Sequence, residues 1–273
     1  MSDLCDLTAC DARQKIETKE ISPLELVDAC IARIEAVNHA VNAIVATCYE
    51  RAREEARLAE KVVMNGSPLG ALHGLPLGVK DLNVTAGLRT TFGSELYANW
   101  VPESDERIIA ALRAAGAIVL GKTNTPEFGA GANTINRVYG ATGNPFDVKR
   151  TCGGSSGGSA VALACGMVPL ATGSDTGGSL RTPASFCGIT SHRGTPGLVP
   201  SDRRTIGLST YSVQGPMARN VHDTALMLSA MAAHSTLDPL SGPVDASEFA
   251  NLPSVDLSEL KVAWSSDLGV APV

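Results

Sequence analysis

The chain has 273 residues, 44% of them hydrophobic and 18% charged, so it can bury a sizeable core. Its net charge is −6 and its lysines and arginines are scattered, which argues against nucleic acid or an anionic membrane as the main partner. We expect no signal peptide, and no apolar run approaches the roughly 18 residues that span a bilayer. Seven cysteines without a CxxC pair indicate reduced thiols, which predicts a cytoplasmic protein.

Two helices are predicted near the N-terminus. Residues 22–37 begin with Ser22 as N-cap, Pro23 at the first helical position and Glu25 at the third, which is a capping-box arrangement. Residues 49–64 are rich in Arg and Glu at i,i+4 spacing and predict a second, solvated helix.

A lysine follows the first predicted strand. Leu75, Leu77 and Val79 alternate in a short buried strand, and Lys80 and Asp81 stand at its end. A lysine in that place must be paired or neutral, because a buried ammonium is costly. An ion pair between Lys80 and Asp81 is one interpretation, and a functional amine is the other.

Helices and strands then alternate, which predicts an α/β architecture. Ser104 is expected to cap a helix over 105–116, the next residues form a buried strand, and the helix–strand alternation recurs at 156–173. The segment 116–123 has the Walker A spacing, but its strand lies where the phosphate-binding loop should be, so we do not predict nucleotide binding.

The last third of the chain contains more loop. Residues 186–220 are expected to be loop-rich and Val221 to Ala233 to form a helix. A surface excursion is predicted over 235–258, followed by a strand-like segment at 260–266.

Two clusters of glycine and serine, GGSSGGS (153–159) and GSDTGGS (173–179), flank a predicted helix and strand. Glycine at this density lets the backbone approach a ligand closely, so the clusters predict a site built from backbone N–H groups and serine hydroxyls. Two alternatives remain. Residues 154–158 fit the G-x-S-x-G elbow of α/β-hydrolases with Ser156 as its serine, although the preceding residues make a poor strand. Alternatively, the clusters serve only to pack a helix closely.

The two clusters, read as GGSSGGSA (153–160) and GSDTGGSLRTPASFCG (173–188), closely resemble the amidase signature family, with the stand-alone amidases as the nearest type. LHGLPLGVKD (72–81), GKTNTPEF (121–128) and QGPMAR (214–219) are similar to other hallmark stretches of that family, in the expected order. The resemblance implies an α/β fold with a mixed central sheet covered by helices on both faces.

The resemblance also implies a catalytic triad. Lys80 matches the family's lysine, Ser155 the bridging serine after a cis peptide bond, and Ser179 the nucleophile, with Ser156 in a supporting place. It places the oxyanion hole at the backbone N–H groups of four consecutive residues: Thr176, Gly177, Gly178 and Ser179.

These assignments predict an amidase that forms an acyl-enzyme and releases an acid plus ammonia or an amine. A neutral lysine can activate a serine, provided that desolvation lowers its pKa. Ser155 would relay the proton from Ser179 to Lys80, as in Ser–Lys variants of the triad. No metal or organic cofactor is required. The implied partner is a small-molecule amide, with no nucleic acid and no membrane, and a homodimer stays open.

The sequence departs from the family pattern at two positions near the clusters. Cys152 stands where proline is usual, and Gly194 where the pattern following the nucleophile has proline. The second departure leaves the local geometry near Ser179 open.

The resemblance ends at 267–273, short of the family's usual C-terminus. We therefore expect one C-terminally incomplete amidase domain over 1–273, with an N-terminal helical region (1–65), a catalytic core (66–233) and a surface excursion leading into the C-terminal part (234–273). Such a fragment is expected to expose apolar surface and to be unstable or weakly active. Two other functions remain: the glutamine-hydrolysing component of a tRNA-dependent amidotransferase, and an inactive truncated remnant.

Overall fold

The computed structural model describes residues 3–204, 206–250, 252–267 and 269–270, and its centre is a six-stranded mixed β-sheet flanked by helices. The expected α/β class is confirmed. The strands are β1 (Ile44–Thr47), β2 (Pro76–Lys80), β3 (Ile118–Thr123), β4 (Ile135–Asn136), β5 (Gly140–Ala141), β6 (Leu170–Asp175), β7 (Thr190–Ser191) and β8 (Val213–Ala218). The helices are α1 (Ala9–Glu17), α2 (Pro23–Val41), α3 (Tyr49–Met64), α4 (Arg107–Ala114), α5 (Gly157–Ala164), α6 (Arg181–Cys187), α7 (Val221–Met231) and α8 (Ser247–Ala250). Short 3₁₀ helices cover Leu4–Asp6, Glu95–Tyr97, Glu127–Gly129 and Leu257–Glu259.

The strand order places the ends of three parallel strands side by side. The sheet runs β1-β3-β2-β6-β8-β7, with β2 parallel to both β3 and β6 and the other pairs antiparallel; β4 and β5 form a separate hairpin. Every residue of β2 and β3 is buried, as expected for parallel strands covered on both faces. The carboxyl ends of β2, β3 and β6, at Lys80, Thr123 and Asp175, therefore meet at one edge, where α/β proteins bind ligands.

The predicted helices of the N-terminal region are confirmed. Ser22 Oγ accepts from the Glu25 backbone N–H at 3.1 Å, and the Glu25 carboxylate accepts from the Ser22 N–H at 2.7 Å, so the capping box is complete. Helix α2 continues past the predicted end to Val41, and α3 occupies the predicted residues 49–64. Within the described part of the chain, no helix is both long and apolar enough to cross a membrane.

The expected cap of α4 is wrong. The helix begins at Arg107, and its N-cap is Glu106 rather than Ser104. The Glu106 side chain makes no capping bond, because its carboxylate accepts from the backbone N–H of Val84 at 3.0 Å. The helix therefore begins three residues after Ser104 and without a side-chain cap.

Most of the described residues in 186–220 are loop, as expected, but two strands within that stretch were not predicted, and the strand expected at 260–266 is wrong. Residues 186–220 contain β7 and β8, and β8 pairs along its whole length with β6 in the sheet. Gly215 and Pro216 have the composition of a turn, but they lie opposite Gly173 and Thr172 in this antiparallel ladder. Tertiary pairing has overridden the local turn signal.

Residues 260–266 form no strand, and their side chains are exposed; Trp264 is 84% exposed. A strand requires a neighbour for its backbone hydrogen bonds, and this segment joins no ladder among the described residues. The helix predicted over 221–233 is confirmed as α7, which ends at Met231.

Helix α5 packs closely on the end of β3. A Cβ at position 158 would lie 2.2 Å from the backbone nitrogen of Asn124, the residue that follows β3. The Gly158 N–H in turn donates to the Asn124 carbonyl at 3.2 Å. The absence of a side chain at Gly158 therefore fixes the distance between the first glycine–serine cluster and the sheet.

We predict that Gly158→Ala lowers the free energy of unfolding by about 1–3 kcal/mol. The added methyl group would overlap backbone atoms of Asn124, which can move away only if the end of β3 shifts. Urea unfolding followed by circular dichroism measures the effect. Gly242→Ala is the matched control, because nothing lies within 4 Å of a Cβ at that exposed position. Equal stability of the two variants would contradict the close approach.

Candidate active site

Lys80 lies at the carboxyl end of β2 and is fully buried. Its Nζ lies 2.8 Å from Ser155 Oγ, 2.8 Å from Ser156 Oγ and 3.0 Å from Ser174 Oγ. Burial lowers the pKa of Lys80 to about 7, although the Asp175 carboxylate opposes this shift. The site therefore holds an amine that is partly neutral near neutral pH, surrounded by hydroxyl groups.

The interpretation of Lys80 and Asp81 as an ion pair is wrong. The Asp81 carboxylate accepts from the Thr91 backbone N–H at 3.0 Å and from Thr91 Oγ1 at 2.5 Å. Asp81 lies just after the end of β2, and these bonds hold its carboxylate at Thr91 instead of at the Lys80 amine. No carboxylate lies within ion-pair distance of the Lys80 amine among the described residues.

The first glycine–serine cluster brings two serines to this amine. The Gly154–Ser155 peptide bond is cis. Ser155 is 2% exposed and Ser156 is fully buried, at the start of α5. Ser156 Oγ accepts from the Ser174 N–H and donates to the Ser174 carbonyl, both at 3.3 Å, so it also ties the cluster to β6. Residues 147–151 form no strand, which removes the strand that a hydrolase elbow at Ser156 requires.

Asp175, at the end of β6, anchors the second cluster. Its buried carboxylate accepts from the backbone N–H groups of Gly178 at 2.8 Å and Leu180 at 3.2 Å. Arg181 donates to both carboxylate oxygens at 3.0 Å. Burial by itself raises the pKa of Asp175, but the bonds from Arg181, Gly178 and Leu180 outweigh it and lower the pKa to about 2. The carboxylate is thus ionised and clamps the turn that carries Ser179.

Ser179 is half-buried in this turn, and its hydroxyl makes no hydrogen bond within the described ranges. The structure therefore joins Lys80 to Ser155, but it does not join Ser155 to Ser179. Of the four N–H groups named from the sequence, that of Gly178 is already bound to Asp175. Those of Thr176, Gly177 and Ser179 have no acceptor in the described part of the chain, and they remain available to a bound oxygen.

Arg193 supports the same turn from the segment that departs from the family pattern. Its Nη1 donates to the Asp175 carbonyl at 2.5 Å, to Asp175 Oδ1 at 3.2 Å and to the Tyr211 carbonyl at 3.0 Å. The next residue is Gly194. The Asp175 carboxylate is therefore bound by two arginines, Arg181 and Arg193.

A second buried lysine, Lys122, lies in the Walker-like segment and was not singled out from the sequence. It is fully buried in β3, where its Nζ bonds to the Asn83 carbonyl and to Thr85 Oγ1. Burial lowers the pKa of Lys122 to about 8, while Asp81 and Glu106 oppose the shift. A lysine inside a strand cannot line a phosphate loop, which agrees with the rejection of nucleotide binding by this segment.

A cavity of about 560 Å³ lies beside the second cluster. Thr176 contributes to its wall, together with Phe92, Glu106 and Gln214. Phe92 belongs to an aromatic cluster with Tyr97, Trp100 and Phe128, in which its ring centroid lies 5.1–6.4 Å from the other three. The described residues contain no group of three or more His, Cys, Asp or Glu side chains placed to hold a metal ion.

Comparison with known proteins identifies similar chains. Residues 25–273 match the family model described as Amidase. The chain is 38% identical to an acylamidase of Rhodococcus erythropolis over 98% of its own length and 56% of that protein. It is 39% identical to a Glutamyl-tRNA(Gln) amidotransferase subunit of Carboxydothermus hydrogenoformans over 95% of its own length and 54% of that protein.

Among solved structures, a bacterial aryl acylamidase of the amidase signature enzymes superposes with a TM-score of 0.82 at 33% identity. The match covers 87% of this chain and 50% of that one. The chain spans about half the length of the curated relatives it matches.

We predict that Asp175→Asn lowers the pKa of Lys80 below about 7, because the Asp175 carboxylate favours the ammonium form. The measurement is the pH titration of the Lys80 Nζ resonance in protein with isotope-labelled lysine, assigned by its loss in Lys80→Met. Asp256→Asn, a change of an exposed carboxylate, is the control and should leave that titration unchanged. An unchanged or raised pKa in Asp175→Asn would contradict the electrostatic link.

Proposed function

This chain belongs to the amidase family, and we propose on that premise that it hydrolyses a carboxylic amide through a serine acyl-enzyme. The observation that carries the proposal is the Lys80 amine, which is fully buried, has no carboxylate partner among the described residues and lies 2.8 Å from Ser155 Oγ. A lysine with a pKa near the working pH is a suitable general base. The family relationship, foreseen from the sequence motifs, is confirmed.

In the proposed mechanism, neutral Lys80 takes the proton of Ser155 while Ser155 takes the proton of Ser179. The Ser179 oxygen attacks the amide carbonyl carbon and forms a tetrahedral intermediate. The C–N bond then breaks, and the proton returns through Ser155 to the leaving ammonia or amine. Water attacks the acyl-enzyme by the same route and releases the acid.

The N–H groups near Ser179 that have no acceptor among the described residues support a place for the oxyanion. We assign that role to Thr176, Gly177 and Ser179, because the N–H of Gly178, the fourth group named from the sequence, already donates to Asp175. One such donor is worth about 2.7–4 kcal/mol in known acyl-transfer enzymes.

The substrate class rests on the relatives and on the cavity. One similar protein is described as an acylamidase and a similar structure as an aryl acylamidase. The aromatic ring of Phe92 on the cavity wall suits an apolar or aryl group. An aryl amide is therefore the first substrate to test.

A second candidate is supported by relatives described as Glutamyl-tRNA(Gln) amidotransferase subunits, at 39% and 40% identity. That function would require partner subunits and glutamine as substrate. The stretch GKTNTPEF (121–128) favours the stand-alone type. An inactive remnant is the non-enzymatic alternative.

We also propose a cytoplasmic protein whose described region forms one amidase domain. All seven cysteines are free, which suits a reducing compartment.

We predict that Ser179→Ala and Lys80→Met each lower kcat/KM for an aryl amide by at least about a thousandfold, because the first removes the attacking oxygen and the second removes the base. The rate of aniline release from purified protein measures this. Ser67→Ala, at an exposed site, is the control. Near-normal hydrolysis by either site variant would contradict the mechanism, and no hydrolysis by the unaltered protein would favour the remnant.

The pH dependence follows from Lys80. Its pKa of about 7 means that the neutral, proton-accepting amine increases as pH rises through that value. We predict that kcat/KM rises with pH through about 7 and then levels off. A rate that is flat across this range, or that rises only near the ordinary lysine pKa, would contradict the role of a buried neutral amine.

The two enzymatic candidates differ in substrate and assembly. The stand-alone type predicts hydrolysis of aryl amides without added subunits and little glutaminase activity. Glutamine hydrolysis that appears only when partner subunits copurify would support the amidotransferase function instead. Kinetic assay and mass spectrometry of the purified material distinguish the two.

A further inference from the structure

Gln214 lies on the cavity wall, next to the strand that carries the second cluster. In the β6–β8 ladder it lies directly opposite Ser174, whose hydroxyl bonds to Lys80 Nζ. Residues that face each other in an antiparallel pair project to the same side, with Cβ atoms about 4.5–5.5 Å apart. A single residue, Ser174, therefore lies between Gln214 and the proposed base Lys80. Gln214 lines the cavity to which Thr176 also contributes.

A chain of hydrogen bonds fixes which way the Gln214 carboxamide points. The backbone N–H of Lys80 can only donate, and it donates to Thr172 Oγ1 at 2.8 Å. The Thr172 hydroxyl then donates its own hydrogen to Asn83 Oδ1 at 2.7 Å. Since the Asn83 oxygen is the acceptor, its amide nitrogen faces the other way.

The two hydrogens of Asn83 Nδ2 go to Glu106 Oε1 and, at 3.3 Å, to Gln214 Oε1. The oxygen of Gln214 is thereby held as the inward acceptor. Its Nε2 group makes no hydrogen bond among the described residues and is the part left for the cavity. Because the Lys80 backbone N–H can only donate, the bonds that follow from it turn the Gln214 oxygen inward and leave its NH₂ group for the cavity.

The other charged groups of this wall leave donors, not acceptors, facing the cavity. The Glu106 carboxylate is occupied by Asn83 and by the Val84 N–H. The Arg204 guanidinium is paired with buried Asp238 at 2.9 Å. The Arg203 guanidinium has neither an ion pair nor a hydrogen bond in the described ranges.

We infer that Gln214 is a specificity-determining residue that donates from Nε2 to an oxygen acceptor, such as a carbonyl, on the part of the substrate that occupies this cavity. The inference rests on the proposed amide hydrolysis and deepens it. Among aryl amides, the preferred substrates are then those whose acyl chain carries such an oxygen a few atoms from the scissile bond.

The test compares anilides of hexanoic acid with those of its 4-oxo and 5-oxo analogues, using the unaltered protein, Gln214→Leu and Gln214→Glu. One neutral hydrogen bond corresponds to about a five- to tenfold preference in kcat/KM for the better oxo substrate. We expect this preference in the unaltered protein. It should disappear in both variants, since leucine removes the group and a carboxylate cannot donate. Gln214→Glu keeps the shape of the side chain and an oxygen that accepts from Asn83, so we expect it to fold like the unaltered protein. An unchanged melting temperature checks this.

Ser209→Ala is the matched control, because Ser209 lines the same cavity and its hydroxyl makes no hydrogen bond in the described part of the chain. It should keep the oxo preference. Equal rates for hexanoyl and oxo substrates, or a preference that survives in Gln214→Leu, would overturn the inference while leaving amide hydrolysis intact.

Absence of turnover with every anilide would instead count against the proposed function. Binding then decides the role of Gln214, measured calorimetrically with hexanamide and the two oxohexanamides on Ser179→Ala, with and without Gln214→Leu. Tighter binding of an oxo amide that depends on Gln214 supports the inference, and equal binding overturns it.

Discussion

The structure depends on one constraint, an amine that is buried without a counter-ion among the described residues. A fully buried ammonium would be costly, and Lys80 has three hydroxyl groups around it rather than a carboxylate. The amine therefore loses its proton readily, with a pKa of about 7. Two of the hydroxyls come from the first glycine–serine cluster and the third from β6. The fold has to bring these segments together at the carboxyl end of β2.

The glycines explain how the segments meet. At Gly158 the backbone of α5 lies against Asn124, where a side chain has no room. At Gly178 the backbone adopts φ +123°, a conformation that favours glycine, within the turn clamped by Asp175. The close helix packing that the purely structural alternative expects is therefore present at Gly158. The same close approach of α5 to the sheet also brings the hydroxyls of Ser155 and Ser156 to Lys80.

The charged groups around the Lys80 amine are also arranged in a definite way. Asp175 is ionised, held by Arg181 and Arg193, and its charge acts on Lys80 in the direction opposite to burial. Lys122 occupies a separate buried region with Asp81 and Glu106. The two buried lysines are therefore distinct in their environments: one faces hydroxyl groups, and the other faces backbone and side-chain acceptors with carboxylates nearby.

Much of the fold was predictable from local signals, because the capping box at Ser22 and the alternation before Lys80 are properties of short segments. The family motifs placed Lys80 and Ser155 in one site, and the structure brings the Lys80 Nζ within 2.8 Å of the Ser155 Oγ. By contrast, β8 was missed because Gly215 and Pro216 have the composition of a turn and only the pairing with β6 makes them a strand. Asp175 was visible within GSDTGGS, but no local pattern shows that its carboxylate binds the N–H groups of the same turn or that Arg193, 18 residues further on, adds a bond to it. The polarity of Gln214 arises from a network that no local pattern encodes.

The most direct test of the central claim, that Lys80 activates Ser179, is the rate and site of labelling by a fluorophosphonate as a function of pH. We predict an adduct on Ser179 alone, formed faster as pH rises through about 7, and only slow labelling without this pH dependence in Lys80→Met. Peptide mapping by mass spectrometry locates the adduct. An adduct on Ser155 or Ser156, or labelling of Lys80→Met at the rate of the unaltered protein, would contradict the account.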